Sequence, residues 1–349
     1  MMMLFLRSGA VSGIEGLKPE TKMGFGGFIR IAMPTTGTRT IRRIAQMYYS
    51  DNMNIRQITM KTGLCPATVS RCLAKARDSG IVKIHVEQDD TEDMEKSLED
   101  RFGLKECFVT AALDSTEALY RSFARPVGEL IVRHTPAGGL LGVSWGDTLS
   151  TAAMYLPKDT WKKIDAIPVI GSMGAIESGV YPANIAKAFA EALGGQAYLV
   201  NIPAVYENEN TARRMREDRA FQPVLEHWRR LDTVILGASS LDSDTSMCKR
   251  EIFTQNDLQT MKNSGCRAAV NFVMLDSQGS ILEHPLKNRI VNLPLENLKK
   301  VRTVILAAGG PGKAAPILSV IRSGMAHCLV TDEETAATLL ENGQMPCHN

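Results

Sequence analysis

No run in this chain approaches the ~20 apolar residues that a bilayer-spanning helix needs, so no membrane partner is expected. There is no Cys-x-x-Cys pair either. The seven cysteines, at positions 65, 72, 107, 248, 266, 328 and 347, are odd in number and scattered. That pattern argues against a disulfide framework and against a zinc site, and it fits a reducing cytoplasm. Cys65 and Cys72 stand seven apart on one predicted helix, a spacing that suits packing better than metal binding. Internal repeats and low-complexity tracts are absent as well, which leaves no basis for a repeat array. Met1–Arg7 has a short apolar stretch, but no basic segment precedes it and its apolar core is incomplete. It is therefore not read as a signal peptide.

What is present is an ordinary globular composition. The 349 residues are 44% hydrophobic and 22% charged, enough chain for a small domain beside a larger one. The formal net charge of +2 conceals an asymmetry. Residues 1–88 hold 13 Lys and Arg against 5 Asp and Glu, whereas the remainder holds 27 against 33. A basic small domain beside an acidic large one suggests that the first meets a polyanion. The reading divides the chain into a disordered leader at 1–37, a helix-turn-helix domain at 38–88, and a larger domain at 89–349 that opens with a linker helix.

The small domain carries the sharper signal. Ile41, Ile44, Ala45 and Tyr48 recur at helical spacing and define the apolar face of a first helix. Asn54, with Gln57 three residues on, predicts a capping box. The second helix buries Ile55 and Ile58 and stops at Gly63, where a left-handed backbone costs glycine little. Pro66 suits the first position of a third helix, on which Val69, Cys72, Leu73 and Ala76 form one stripe. Leu64 fills the junction. Ile81–Val86 alternates like a short strand. The candidate DNA contacts are Cys65, Pro66, Ala67, Thr68, Ser70, Arg71 and Lys75. Small and hydroxylated side chains let a helix sit deep in the major groove, while Arg71 can reach a guanine or a phosphate. Lys75, one turn on, suits a phosphate. Thr59 stands where such motifs usually carry alanine, and its methyl is expected to fit with slight repacking. A plain helical hairpin explains the stripes equally well, but not the Pro-Ala-Thr-Val-Ser-Arg start of the third helix or the basic charge.

Beyond a predicted helix at Glu92–Phe102, residues 89–135 read as polar and helical. Strand-like runs then follow at Leu140–Ser144, Ala166–Ile170, Ala197–Ile202, Thr233–Gly237, Ala268–Leu275, Thr303–Ala308 and Ala326–Val330. Helical patterns separate most of them, so the fold class is α/β, with a mostly parallel sheet covered on both faces.

With these elements in place the chain resembles the SorC family of sugar-binding transcriptional regulators over about residues 38–342. The resemblance rests on Ile44-Ala-Gln-Met-Tyr-Tyr-Ser, Thr68-Val-Ser-Arg71 and Ser79-Gly-Ile-Val in the small domain. In the large domain it rests on Leu141-Gly-Val-Ser-Trp-Gly-Asp-Thr-Leu149, Ala307-Ala-Gly-Gly-Pro-Gly-Lys313 and Leu329-Val-Thr-Asp332. It implies a sugar-phosphate-isomerase-like effector domain, a homodimer or homotetramer, double-stranded operator DNA as partner, and a phosphorylated sugar as effector. No cofactor, metal or catalytic residue is implied. The matching effector positions are Ser144, Trp145, Gly146, Asp147 and Thr148, then Gly171 and Gly174, then Gly309, Gly310, Gly312 and Lys313. Each turn follows an apolar strand and precedes a helix, where open α/β sheets bind ligands and helix N-termini favour anions. The last turn is not a phosphate-binding Walker loop, because Ala307 and Ala314 stand where that motif needs glycine and a hydroxyl. The chain departs from the family where a Gly-Asp pair supplies a sugar-contacting acid. Ala268-Ala269 occupy those positions, and Asn271 does not simply replace the acid.

Two other functions fit parts of the sequence. An isomerase- or deaminase-like enzyme fused to a DNA-binding head needs a poised acid or base. Asp242 and Asp244 are the clustered carboxylates for that role, although helix capping and solvation explain them as well. A helical adaptor that binds protein in place of DNA is separated by the salt dependence of duplex binding.

Overall fold

The computed structural model describes residues 37–51, 53–82, 90–158, 162–173, 180–241, 252–284 and 286–343. The chain divides into two compact units, Met1–Val86 and Glu87–Asn349. The leader expected at 1–37 lies, except for Gly37, outside the described residues.

The smaller unit is built from α1 (Thr38–Tyr49), α2 (Ile55–Thr62) and α3 (Pro66–Asp78). The capping box forms in both directions: Gln57 N donates to Asn54 Oδ1 at 3.0 Å, and Asn54 N donates to Gln57 Oε1 at 2.9 Å. Gly63 ends α2 at φ +72°, a left-handed conformation that needs no Cβ. Pro66 opens α3, at a position whose N–H would have no helical partner. Val69, Cys72, Leu73 and Ala76 of α3 meet Ile58 of α2 and Ile41, Ile44 and Ala45 of α1 in one core. Tyr48 does not join the buried face expected of it. Tyr48 is 38% exposed, and Met47 is buried in its place. Helix α1 packs on both α2 and α3, so its buried face is wider than one stripe. The Tyr48 ring stays at the rim, edge-on to Tyr49. Residues 83–86 of the expected strand lie outside the described residues, while Ile81 and Val82 pack against the core without forming a strand.

The larger unit is a seven-stranded sheet in the order β1-β9-β8-β5-β2-β3-β4, parallel at every pairing. Its strands are β1 (Glu106–Thr110), β2 (Leu140–Val143), β3 (Ile164–Pro168), β4 (Gly194–Ala197), β5 (Thr233–Leu236), β8 (Thr303–Ala307) and β9 (Cys328–Asp332). Strands β6 (Ala268–Val270) and β7 (Val273–Leu275) form a separate antiparallel pair. Strands β5, β8 and β9 are buried at every residue because helices cover both faces. On β5, Val234 and Leu236 join one core and Ile235 the other; on β8, Val304 and Leu306 separate from Ile305 and Ala307 in the same way.

One face is covered by α4 (Asp90–Phe102), α10 (Gln222–Arg229), α13 (Ala314–Arg322) and α14 (Glu333–Asn342). The other carries α5 (Thr116–Ser122), α6 (Ala124–His134), α7 (Asp147–Met154) and α8 (Pro182–Ala192). The remaining helices are α9 (Glu209–Glu217), α11 (Gln255–Asn263) and the single turn α12 (Leu295–Leu298). Among the described residues no helix is long and apolar enough to cross a membrane.

Three differences from the strand expectations have physical causes. Strand β1 was not expected, because 89–135 read as helical; it is a half-exposed edge strand whose burial alternates. Strand β4 ends at Ala197, where the predicted run begins, because Leu193 closes α8 and Gly194 takes φ +70° to start the strand at once. The run Ala268–Leu275 is two strands rather than one, reversed at Asn271-Phe272, both at positive φ. The predicted linker helix is α4, and it packs on the sheet edge. Its Glu99 and Glu95 carboxylates accept from Cys107 N and Val109 N, each at 2.8 Å, occupying outward N–H groups of an edge strand that would otherwise recruit another chain.

Thr59 is half-buried in α2, and its Oγ1 is buried without a hydrogen-bond partner. A buried unpaired hydroxyl costs about 1–3 kcal/mol, more than its methyl contributes by packing. Alanine also has the higher helix propensity. Thr59→Ala is therefore expected to stabilise the smaller unit by about 1 kcal/mol, read in urea unfolding of the full chain followed by a probe in that unit. Destabilisation would mean that the hydroxyl has a partner in solution.

Candidate functional site

On α3 the chemistry-bearing side chains share the face opposite the core. Cys65, Pro66, Ala67, Ser70, Arg71 and Lys75 are exposed, and Thr68 is half-buried. The Arg71 guanidinium lies back along its own helix: Nε donates to Ala67 O and a terminal nitrogen to Thr68 Oγ1, both at 3.3 Å. Thr68 Oγ1 is also 3.1 Å from Cys65 Sγ. That contact first, and the Thr68 backbone N–H next, hold the Cys65 thiol below its ordinary value. The first turn of α3 therefore presents small groups with one guanidinium held over them, and Lys75 adds a second cation further along.

In the larger unit the chain reverses its direction of travel across the sheet between β2 and β5. From β2 it moves to β3 and β4; from β5 it moves the other way, to β8 and β9. The loops leaving two such neighbours diverge, and a crevice opens at their C-terminal ends. The cleft found there is about 540 Å³, counting the solvent at its mouth. Ser144 to Leu149 line it after β2, Gly237 to Ser239 after β5, Ala269 from β6, and Asn271 and Phe272 from the β6–β7 turn. Gly146 takes φ +122°, open only to glycine at this combination of angles, and so turns the chain directly into α7. The first-turn N–H groups of α7 have no carbonyl of their own helix to bond, and they head the cleft wall.

Lys313 enters the cleft from the turn after β8, and its Nζ donates to Ala238 O at 3.0 Å. Tyr120 of α5 completes the rim. Burial pushes its phenol pKa up, its hydrogen bond to Thr148 opposes that, and the Asp147 and Asp332 carboxylates add to the rise. Trp145 meets Phe272 edge-on, with ring centroids 5.5 Å apart. The cleft thus joins a cation and a helix N-terminus to hydroxyls and an aromatic wall.

Not all the expected effector residues meet here. Ser144 to Thr148 and Lys313 do, whereas Gly310 and Gly312 line a separate groove beside α14. Gly309 is a close-packing position: a Cβ there would lie 2.3 Å from Asp332 Oδ2 and 2.7 Å from the Phe123 ring. Gly310 N is already taken, donating to Asp332 Oδ2 at 2.7 Å. Gly171 packs against the backbone of Ile202 to Ala204, away from the cleft. Gly309 and Gly171 therefore stand where the backbone packs closely against protein. Gly174, Asp242 and Asp244 lie outside the described residues. Tyr120, Gly237 to Ser239 and Phe272 were not anticipated, since they reach the cleft from elements far apart in sequence.

A helix-turn-helix unit carried in one chain with a doubly covered parallel sheet and a switch-point cleft defines a class, the transcriptional regulators with a ligand-binding domain. Residues 86–341 match the sugar-binding domain family. The chain belongs to that family and is a carbohydrate-operon regulator of the SorC type. The sorbitol operon regulator of Klebsiella pneumoniae is 26% identical over 308 residues, 87% of this chain and 98% of that protein. The deoxyribonucleoside regulator of Bacillus subtilis (strain 168) is 24% identical over 305 residues, 85% and 96% of the two chains. The crystal structure of the full-length Klebsiella pneumoniae regulator SorC has a TM-score of 0.69 at 25% identity, covering 86% of this chain and 98% of its own.

Proposed function

We propose that α3 reads operator DNA in the cytoplasm and that the switch-point cleft binds a phosphorylated sugar whose occupancy controls that reading. The observation that carries the effector assignment is the meeting of Lys313 with the first turn of α7. Two sources of positive potential converge on one cleft, which favours a compact anion. The hydroxyl-bearing residues and the Trp145 and Phe272 rings suit the remainder of a sugar. Relatives are named as a sorbitol operon regulator, a deoxyribonucleoside regulator and an erythritol catabolism regulatory protein, which supports a sugar-like effector. The cleft is read as a sensor rather than a catalytic site: Asp147 is the carboxylate on its lining, at the N-terminus of α7, where a fixed negative charge complements the helix. No cofactor is required for such a role.

The test is binding and its coupling to DNA. Lys313→Met keeps most of the stem and removes the charge. The variant should bind operator normally but lose affinity for sugar phosphates by about 1.5–3 kcal/mol, one charged hydrogen bond, measured by calorimetry. Unchanged affinity would place the phosphate elsewhere. On the DNA side, Arg71→Ala should abolish operator binding while circular dichroism and thermal unfolding stay as in the parent. A full-strength footprint from that variant would remove Arg71 from the interface.

One recognition helix reads only a few base pairs, so useful specificity requires paired half-sites. The larger unit, with α4, is proposed to supply the contacts of a homodimer or homotetramer. Sedimentation at operator-binding concentrations should show no monomer; a monodisperse monomer contradicts the assignment.

A further inference from the structure

Ser144 and Asn271 are both buried polar residues of the cleft wall, 2% and 6% exposed. Their hydrogen bonds can be assigned without ambiguity. Asn271 Nδ2 donates to Val169 O at 3.1 Å, and a carbonyl can only accept. The amide is thereby oriented, and its Oδ1 faces Ser144. Oδ1 can only accept as well, so the Ser144 hydroxyl donates to it, at 3.1 Å. The only hydrogen of that hydroxyl is then used. Its remaining capacity is as an acceptor, and no described group donates to it.

We infer that Asn271 is a specificity-setting residue: it makes Ser144 an acceptor-only contact, so that this point of the cleft selects a ligand hydroxyl and rejects a phosphate oxygen, a keto oxygen or a deoxy carbon. The inference rests on the sugar-phosphate reading of the cleft and deepens it. A phosphate dianion carries acceptors only and would meet the Ser144 lone pairs directly. It is excluded there and left to Lys313 and the first turn of α7. A sugar hydroxyl, in contrast, can donate to Ser144 Oγ while its own oxygen accepts elsewhere. Buried polar positions of this kind discriminate strongly, because the wrong ligand leaves a protein group unpaired. The Ala269 side chain beside this wall brings no competing charge.

The experiment uses full-length protein and calorimetric titration with glucitol 6-phosphate, fructose 6-phosphate and ribose 5-phosphate. For whichever binds tightest, the deoxyfluoro analogues at each hydroxyl are titrated next. Fluorine keeps the size of a hydroxyl but cannot donate. In the parent protein one analogue should bind at least about tenfold more weakly. In Ser144→Ala that difference should vanish. In Asn271→Gly, which suits the positive φ of the turn, the Ser144 proton is released and the difference should shrink, while the other analogues keep their ranking. A merely structural role for Asn271 would weaken parent ligand and analogues alike, and that result overturns the inference. So does a tenfold loss that persists unchanged in Ser144→Ala, or no position-specific loss in the parent. Failure of all three sugar phosphates to bind overturns the effector assignment itself, and this inference with it. Binding without position-specific loss overturns the hydrogen-bond assignment alone.

Discussion

The reversal of strand order between β2 and β5 is the constraint on which the cleft of the larger unit depends. A parallel sheet buried on both faces has nowhere to expose polar groups except its ends. At most pairs of strands the outgoing loops turn the same way and cover one another. Between β2 and β5 they part, and the gap is lined by backbone that has just left a strand. Everything else in the cleft is a consequence of what the sequence places beside that gap: a glycine that turns directly into α7, a lysine arriving from β8, and an aromatic turn closing over the top.

The position of Lys313 is itself held from behind. Asp332, 2% exposed at the end of β9, accepts from Thr335 N, Thr335 Oγ1 and Gly310 N. The first two contacts cap α14, and the third fixes the glycine turn that ends in Lys313. One buried carboxylate therefore ties the start of α14 to the start of α13, without using a cation as its described partner. Gly309 serves the same purpose. A Cβ at position 309 would collide with the Asp332 carboxylate, so the turn could not close on it. The turn is thus tied to Asp332 through Gly309 and Gly310, and Lys313 is its residue on the cleft lining, while Gly310 and Gly312 line the separate groove.

How much of this was legible in the sequence follows from the range of the interactions. The helix-turn-helix was legible because its determinants are local: the Asn54–Gln57 box, Gly63, Pro66 and the stripe from Val69 to Ala76 all act within a turn or two. Buried strands such as Thr303–Ala307 were legible because burial on both faces leaves no alternation to confuse. The edge strand β1 was not, since half its residues face outward and its N–H groups are satisfied by Glu95 and Glu99 of α4, a pairing with no local signature. The cleft was half legible. Ser144 to Thr148 and Lys313 stand in turns that announce themselves. Tyr120, Gly237 to Ser239 and Phe272 enter through tertiary packing alone. The Ala268–Leu275 run misled because apolar residues continue straight through the reversal, and the turn is carried by Asn271, whose tolerance of positive φ is a weaker signal than glycine.

That reversal shows how the wall of the cleft is made rigid. Asn271 and Phe272 both sit in the left-handed region, at φ +48° and +62°. Outside glycine this conformation costs roughly 1–2 kcal/mol per residue, and a phenylalanine has none of the side-chain hydrogen bonds by which asparagine relieves it. Such a turn persists only if its surroundings over-determine it, and here they do. The Asn271 amide is fixed by Val169 O and by Ser144, and Asn292 Nδ2 donates to Asn271 O at 2.6 Å. The Phe272 ring is held between Trp145 and Phe253, at 5.5 and 5.0 Å. The contacts that hold the strained turn are thus the same contacts that shape the cleft wall. A ligand entering the cleft meets a surface whose hydrogen-bond polarity and aromatic geometry are already set, and ordering that wall adds little to the entropy cost of binding.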